Sequence, residues 1–378
     1  MIPSFTYKDY SERFSEIFIK LKDPRRINKG NIKYPLHEIL FMVVSSVLCR
    51  YSDFSCIEAF GALNLDWLRK FYPYTHGTCS HDVVGKLFQK INYPQFNECF
   101  IEWAKQSYQF TNEELIAIDD KRICGSYDNH SGTLASHIVS PYMSSKEICM
   151  GQVATEEKSN EITAIPLLLD AIDIEGAIIS IDAMGCQKAI AEKIISKKAN
   201  YLLAVKENQQ YLYDNLVDLF ASKQSLDSHS TIETGHGRVE KRTASMIPSI
   251  DLVDDANQWQ DLNSILKIDT ERFVKSTGIQ SFETRYYISS CKKFSAEKMN
   301  ELVRQHWAIE NKLHWQLDVN FGEDDARKRI GNAAKNFNLI LKTALALFQR
   351  DKTKKVSVKR KALRASFDIQ YREELMKV

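Results

Sequence analysis

The chain has 378 residues, longer than one hydrophobic core usually serves, so two or three structural units are expected. With 44% hydrophobic and 26% charged residues it carries the apolar content of a packed globular protein, which excludes wholesale disorder. A formal net charge of +2 decides nothing about nucleic acid, because opposite charges can be segregated into patches.

Up to about residue 112 the pattern is helical, with apolar residues at three- and four-residue intervals in Leu36–Leu48, Ile57–Phe71, Val83–Ile91 and Phe96–Tyr108. Ser80 and Asp82 supply start signals, and Pro73 and Pro94 mark boundaries. The period then changes. Leu115–Ile118, Ala177–Ile181 and Tyr201–Val205 read as strands buried on both faces, with helices over Glu161–Ile172 and Gln187–Lys198 between them. That alternation implies a parallel sheet with right-handed crossovers. Leu134–Tyr142 and Ile148–Glu156 read as antiparallel partners of the first strand.

From about Glu207 to Ser281 the alternation lapses into polar stretches with strand-like pieces at Arg242–Ile247 and Ile265–Asp269, which reads as a β-rich insertion. Thr284–Ser289 restores a strand, and a long helix runs from Ser295, its N-cap, to about Leu317. A further apolar helix, Ala333–Phe348, precedes a tail with seven basic and no acidic residues between Lys352 and Arg364. Such a tail fits phosphate binding, or a solvated terminus. The division expected is 1–112 helical, 113–350 α/β and 351–378 basic tail.

The eight cysteines are scattered without zinc-finger spacing, no leader-like N-terminus is present, and the run Ile39–Cys49 is too short to span a membrane. A cytosolic protein without a membrane partner is expected. Asp119 and Asp182 each close a predicted buried strand, at the edge where open α/β sheets place ligands. On the long helix His306, Glu310 and His314 recur at i, i+4 and i+8 as one polar stripe. Three carboxylates converging on one point suit Mg²⁺, which takes few protein oxygens. Taken singly, each aspartate also fits a turn or cap. The two histidines suggest zinc only with a third clear ligand.

Seven runs in order, IAIDDK at Ile116–Lys121, GQVATEEKSNEITAIPLLL at Gly151–Leu169, IDAMGCQK at Ile181–Lys188, YLLAVKENQ at Tyr201–Gln209, ETGHGRVEKR at Glu233–Arg242, RYYISS at Arg285–Ser290 and RQHWAIENKLHWQLDVNFGEDDARKR at Arg304–Arg329, carry a resemblance. Along nearly its whole length the chain resembles the H-repeat-associated (ISAs-type) insertion-sequence transposases of the DDE class. The resemblance implies an RNase H-like catalytic domain, a mixed sheet flanked by helices, behind a helical accessory domain that includes DPRR at Asp23–Arg26. It implies Asp119, Asp182 and Glu310 as the metal-holding catalytic acids, with two Mg²⁺ or Mn²⁺ ions. DNA, as terminal inverted repeats and target, is the implied partner, and synapsis of two ends implies a homodimer.

Two departures stand out. Asp120 occupies the place where the family usually has glycine, and it either perturbs the metal site or points to the opposite face. The Tyr-Arg-Glu-Lys signature of a broader cut-and-paste group does not transfer, since its places hold Val303, His306 and Leu317 around Glu310. Further DNA contacts are expected from Lys206, Asn208 and Gln209 beyond the third parallel strand, from His236 and Arg238 in a glycine-flanked turn, and from Arg304, His306 and His314. Trp307 and Trp315 fit core packing or base stacking. The cluster Glu323-Asp324-Asp325 fits a helix start with salt bridges, or a second metal site. The rival readings are a catalytically inactive, domesticated DNA-binding protein and a stand-alone RNase H-like nuclease.

Overall fold

The computed structural model describes residues 12, 14–25, 32–108, 110–127, 134–155, 161–222, 227–235, 237–248, 253–254, 256–292 and 294–376. His236, Arg26 and residues 156–160 of the GQVATEEKSNEITAIPLLL run lie outside them.

After a helical stretch that includes residues 14–17 come α1 (Leu36–Leu48), α2 (Phe54–Leu63), α3 (Leu65–Leu68), α4 (His81–Lys90) and α5 (Tyr93–Gln106). Asp53 caps α2 by accepting from the Ser55 amide, and Asn92 caps α5 by accepting from Gln95 with Pro94 in the first turn. The single helix expected over Ile57–Phe71 is broken at Asn64, whose side-chain amide donates to the Phe60 carbonyl. Such local side-chain bonding competes with helix continuation.

The sheet comprises β1 (Leu115–Arg122), β2 (His137–Met143), β3 (Ile148–Cys149), β4 (Val153–Thr155), β5 (Ile178–Ile181), β6 (Asn200–Val205), β7 (Asp227–Gly235), β8 (Arg238–Ile247), β9 (Ser264–Val274) and β10 (Gln280–Ser289). Its order is β3-β2-β1-β5-β6-β10-β9-β8-β7, with β4 also on β2. β2 runs antiparallel to β1, while β5 and β6 run parallel to it. An antiparallel 3-2-1 meander followed by two parallel strands is the RNase H-like arrangement. The predicted strand Ile148–Glu156 is two short strands. The insertion is more regular than its sequence suggests: it opens with a helix, α8 (Gln210–Ser222), and its long hairpins β7–β10 extend the same sheet.

Helices α6 (Glu161–Ala171) and α7 (Lys188–Ser196) are the crossovers, and α9 (Ala296–His306) covers the other face. There Met299, Leu302 and Val303 of α9 bury Leu115, Ile178 and Leu202. Because strand side chains alternate, Leu115 and Asp119 share the α9 face of β1 while Asp120 faces α6. The predicted helix Ser295–Leu317 is interrupted: α9 gives way to a π turn at Glu310–His314, and α10 (Trp315–Phe321) ends on Gly322 in the left-handed region (φ 62°).

The last helices are α11 (Ala333–Arg350), α12 (Val358–Phe367) and α13 (Ile369–Leu375). α11 is buried along nearly its whole length and packs on α1, α4 and α5, so one apolar core runs from the N-terminal helices into the sheet. The segment expected to be a basic tail is two capped helices, its Lys361 buried with the ammonium donating to the Phe348 and Asp351 carbonyls. No helix among the described residues is long and apolar enough to cross a membrane.

Candidate metal-binding active site

β1 and β5 pair in parallel with Ile118 beside Ile181, so the next residues, Asp119 and Asp182, come side by side where β5 stops; Asp119 does not close its strand as expected, because β1 continues on β2 to Arg122. The π turn crosses this edge and brings Glu310 and His314 over it. Ligand atoms of Asp119, Glu310 and His314 all lie within 4.8 Å of one another. His314, only 4% exposed, sets Nδ1 3.6 Å from the Asp119 carboxylate and 3.7 Å from that of Glu310. Asp182 stands outside this trio and accepts from the Met184 and Gly185 amides at 3.0 and 3.4 Å, which fixes its carboxylate at the head of the loop.

Burial, then the charges of Glu310 and Asp182, push the Asp119 carboxyl up to about 8. A hydrogen bond with His314 instead holds Glu310 below the usual carboxylate range. Acidic charge is therefore concentrated here, and the nearest lysine on β1 does not relieve it. Lys121 turns away to Asp318, Glu323 and Asp324. Of the cluster Glu323-Asp324-Asp325, Glu323 and Asp324 are thus ion-paired, and the cluster does not start a helix, since α11 begins ten residues beyond Glu323 with Asn332 before it. Among the described residues no lysine or arginine pairs with Asp119, Asp182 or Glu310, and a hard divalent cation fits carboxylates crowded together in this way beside a histidine.

Asp120 points to the opposite face, where its Oδ2 lies 3.0 Å from His137 Nδ1 and beside Glu161. Burial and the Asp120 charge push Glu161 up to about 7.

The other expected contacts disperse. Asn208 donates to the Ala183 carbonyl and Gln209 to that of Cys186, so both amides brace the loop after Asp182 while Lys206 stays exposed. Arg304 pairs with Glu233 at 2.7 Å, tying α9 to the insertion, and Arg238 opens β8 opposite Gly235. His306 bonds Ser180 on β5 at 2.8 Å, and burial drives its imidazole down to about 4, which keeps it neutral. Trp307 carries Arg285 over its ring at 4.6 Å; Trp315 is 54% exposed.

Sheet order and carboxylate placement define an RNase H-like α/β protein, with Asp119 on the central strand, Asp182 just past the end of its parallel neighbour and Glu310 on the helix that crosses them. The transposase DDE domain matches residues 105–347, and a DDE_Tnp_1-associated region matches 15–104. The chain belongs to the DDE transposase family. A putative transposase, YncI, of Escherichia coli O157:H7 is 39% identical over 92% of this chain and 90% of its own. The H repeat-associated putative transposase YhhI of Escherichia coli K12 is 37% identical over 90% and 92%. Among solved structures, a piggyBac transposase synaptic complex with hairpin DNA is similar at TM-score 0.44 and 12% identity, covering 98% of this chain and 77% of that one.

Proposed function

We propose that this chain is an insertion-sequence transposase that binds the terminal repeats of its element, cleaves there to free a 3′-hydroxyl and transfers that hydroxyl to target DNA. The observation that carries the reading is the in-register placement of Asp119 and Asp182 on neighbouring parallel strands with Glu310 brought across them. These three are the catalytic acids, and Asp119, Glu310 and Asp182 would supply the oxygens for Mg²⁺ or Mn²⁺, two ions in all. Bound there, the metal would lower the pKa of an attacking hydroxyl and neutralise charge on the phosphoryl oxygens.

The chain's own residues fix the frame. His314 holds the Glu310 carboxylate ionised and turned toward Asp119, the Met184 and Gly185 amides orient Asp182, and neutral His306 pins the helix to Ser180. Residues 1–112 serve as the accessory DNA-binding part, 113–350 as the catalytic part, and two protomers act together in the cytosol on the two element ends. Asp120 gives no support to an inactive descendant, because its carboxylate pairs with His137 on the far face.

The test incubates purified protein with Mg²⁺ or Mn²⁺ and DNA carrying the element ends, mapping cut and joined strands. Asp119→Ala, Asp182→Ala and Glu310→Ala should each reduce cleavage by roughly 10³-fold or more while leaving DNA binding in place. Normal cleavage by Asp182→Ala would remove that residue from the mechanism. Cutting without end specificity and without joining would favour the stand-alone nuclease.

A further inference from the structure

We propose that the lysine-lined groove beside Trp315 binds an unpaired DNA strand as it leaves the catalytic edge, with the indole stacked on a base and the ammonium groups on phosphates. The proposal rests on the nucleic-acid reading of the Asp119 site and adds a surface to it.

The groove is an open cavity of about 680 Å³ between the π turn with α10 and the segment that leads from α11 into α12. That volume lies within the roughly 300–1,000 Å³ range of ligand clefts. Lys312, Lys352, Lys354, Lys355 and Lys359 line it. Lys312 and Lys352 both reach Glu147 at 2.7 Å, so two cations share one carboxylate. Among the described residues the ammonium groups of Lys354, Lys355 and Lys359 meet no carboxylate.

Two further features point to an anionic occupant. The first turn of α12 carries Lys359, Arg360 and Lys361 and no acid. Positive charge at a helix N-terminus opposes the macrodipole, and among the described residues only Lys361 of these three is offset, by Asp351 at 3.5 Å. An external anion would satisfy both the dipole and the remaining cations. The indole of Trp315 is 54% exposed, and among the described residues no cation or ring covers it, in contrast to Trp307 under Arg285. An exposed aromatic face among unpaired lysines matches the chemistry of a single strand, where stacking tolerates any base and lysines follow the backbone. Trp315 immediately follows the π turn that carries Glu310 and His314, so a strand in the groove would run onto the carboxylate edge.

The experiment measures fluorescence anisotropy of a labelled duplex end with a single-stranded overhang, and of its blunt counterpart, with the full-length protein in EDTA. Trp315→Ala should weaken overhang binding about 5- to 100-fold and leave the blunt end unchanged, with Trp315→Phe restoring most of the loss. Replacing Lys354, Lys355 and Lys359 together by Gln should reduce the slope of log affinity against log salt by about 2. Circular dichroism should stay as in the wild type, because Trp315, Lys355 and Lys359 are exposed and Lys354 is only half-buried. Wild-type affinity and salt slope in both variants would overturn the groove, as would equal loss on both substrates or equally strong competition by polyglutamate. Because no cleavage is measured, that outcome is separable from failure of the catalytic reading, which would show as cutting by Asp119→Ala.

Discussion

Asp119 carries an electrostatic cost at the sheet edge, since burial and two neighbouring acids push its carboxyl up to about 8. An amide of the same shape removes that cost, so Asp119→Asn should fold at least as stably as the parent without metal yet lose the ability to be stabilised by one. In a thermal-shift titration with Mn²⁺ the wild type should gain about 2.7 kcal/mol at a hundredfold excess over Kd, and the variant almost nothing. An equal shift in both proteins would place the metal elsewhere. Lys342 offers a second test away from this site. It is 2% exposed, its ammonium donates to Ser140 Oγ and Gln152 Oε1 at 2.7 Å, and burial lowers its pKa. The unfolded chain then binds more protons than the folded one between the lowered value and the ordinary value of 10.5. Stability from this group accordingly rises with pH across that window, by up to about 1.4 kcal/mol per unit. Urea unfolding of wild type and Lys342→Met should therefore diverge in favour of the wild type as pH rises toward 10.5; a pH-independent difference would contradict the burial of the charge. At this scale the sequence was informative where an acid follows an apolar run, as at Asp119 and Asp182. It was uninformative about Asn208 and Gln209, because a side-chain amide that braces a distant loop leaves no local pattern.

Among the elements, the π turn at Glu310–His314 sets how the carboxylate edge is closed. A straight α-helix would keep Glu310 and His314 on one stripe but turn α10 by a further 100° or so relative to α9. The wider turn lets α9 stay seated on Leu115 and Ile178 while Leu317 and Phe321 of α10 enter the main core. Deleting Asn311, which is exposed, should restore an ordinary α turn with both seatings kept, but it shortens the Glu310–His314 spacing from i, i+4 to i, i+3 and so shifts the two side chains relative to each other and to Asp119. The expected result is a loss of cleavage of about 10²-fold or more with nearly unchanged far-UV circular dichroism, since misplacing reacting groups by an ångström is enough. Retained cleavage would mean that the turn is only a packing accommodation. The helix itself was legible from Ser295 onward, and Ser295 does accept from the Lys298 amide. The π turn was not, because one extra residue in a turn leaves the i, i+4 polar stripe intact. For the same reason the insertion's strands were underestimated. Exposed β-hairpins such as β7, whose residues are mostly polar and solvent-facing, lack the apolar runs that announced β1, β5 and β6.

For the whole molecule, the placement of α11 decides whether the helical N-terminal region can stand apart. Composition and periodicity separate residues up to about 112 from the α/β region, yet the last long helix returns to pack on α1, α4 and α5. Such a return contact lies outside what local patterning encodes, since the apolar face of α11 is equally consistent with packing on the sheet alone. Phe337 shows the consequence. Its ring lies 5.7 Å from Phe54 and 5.4 Å from Phe88, both N-terminal, and Asn336 beside it donates to the Phe88 and Ile91 carbonyls. If one core serves both regions, removing this ring weakens them together. Phe337→Ala should cost about 3–5 kcal/mol and shift a single cooperative urea transition, followed by tryptophan fluorescence and by far-UV circular dichroism, without splitting it. A chain beginning at residue 113 would expose the α11 surface that now covers Phe54 and Phe88, and it should bind a hydrophobic dye and unfold without cooperativity. Two separate transitions in the full-length protein, only one of them moved by Phe337→Ala, would instead assign the N-terminal helices a stability of their own.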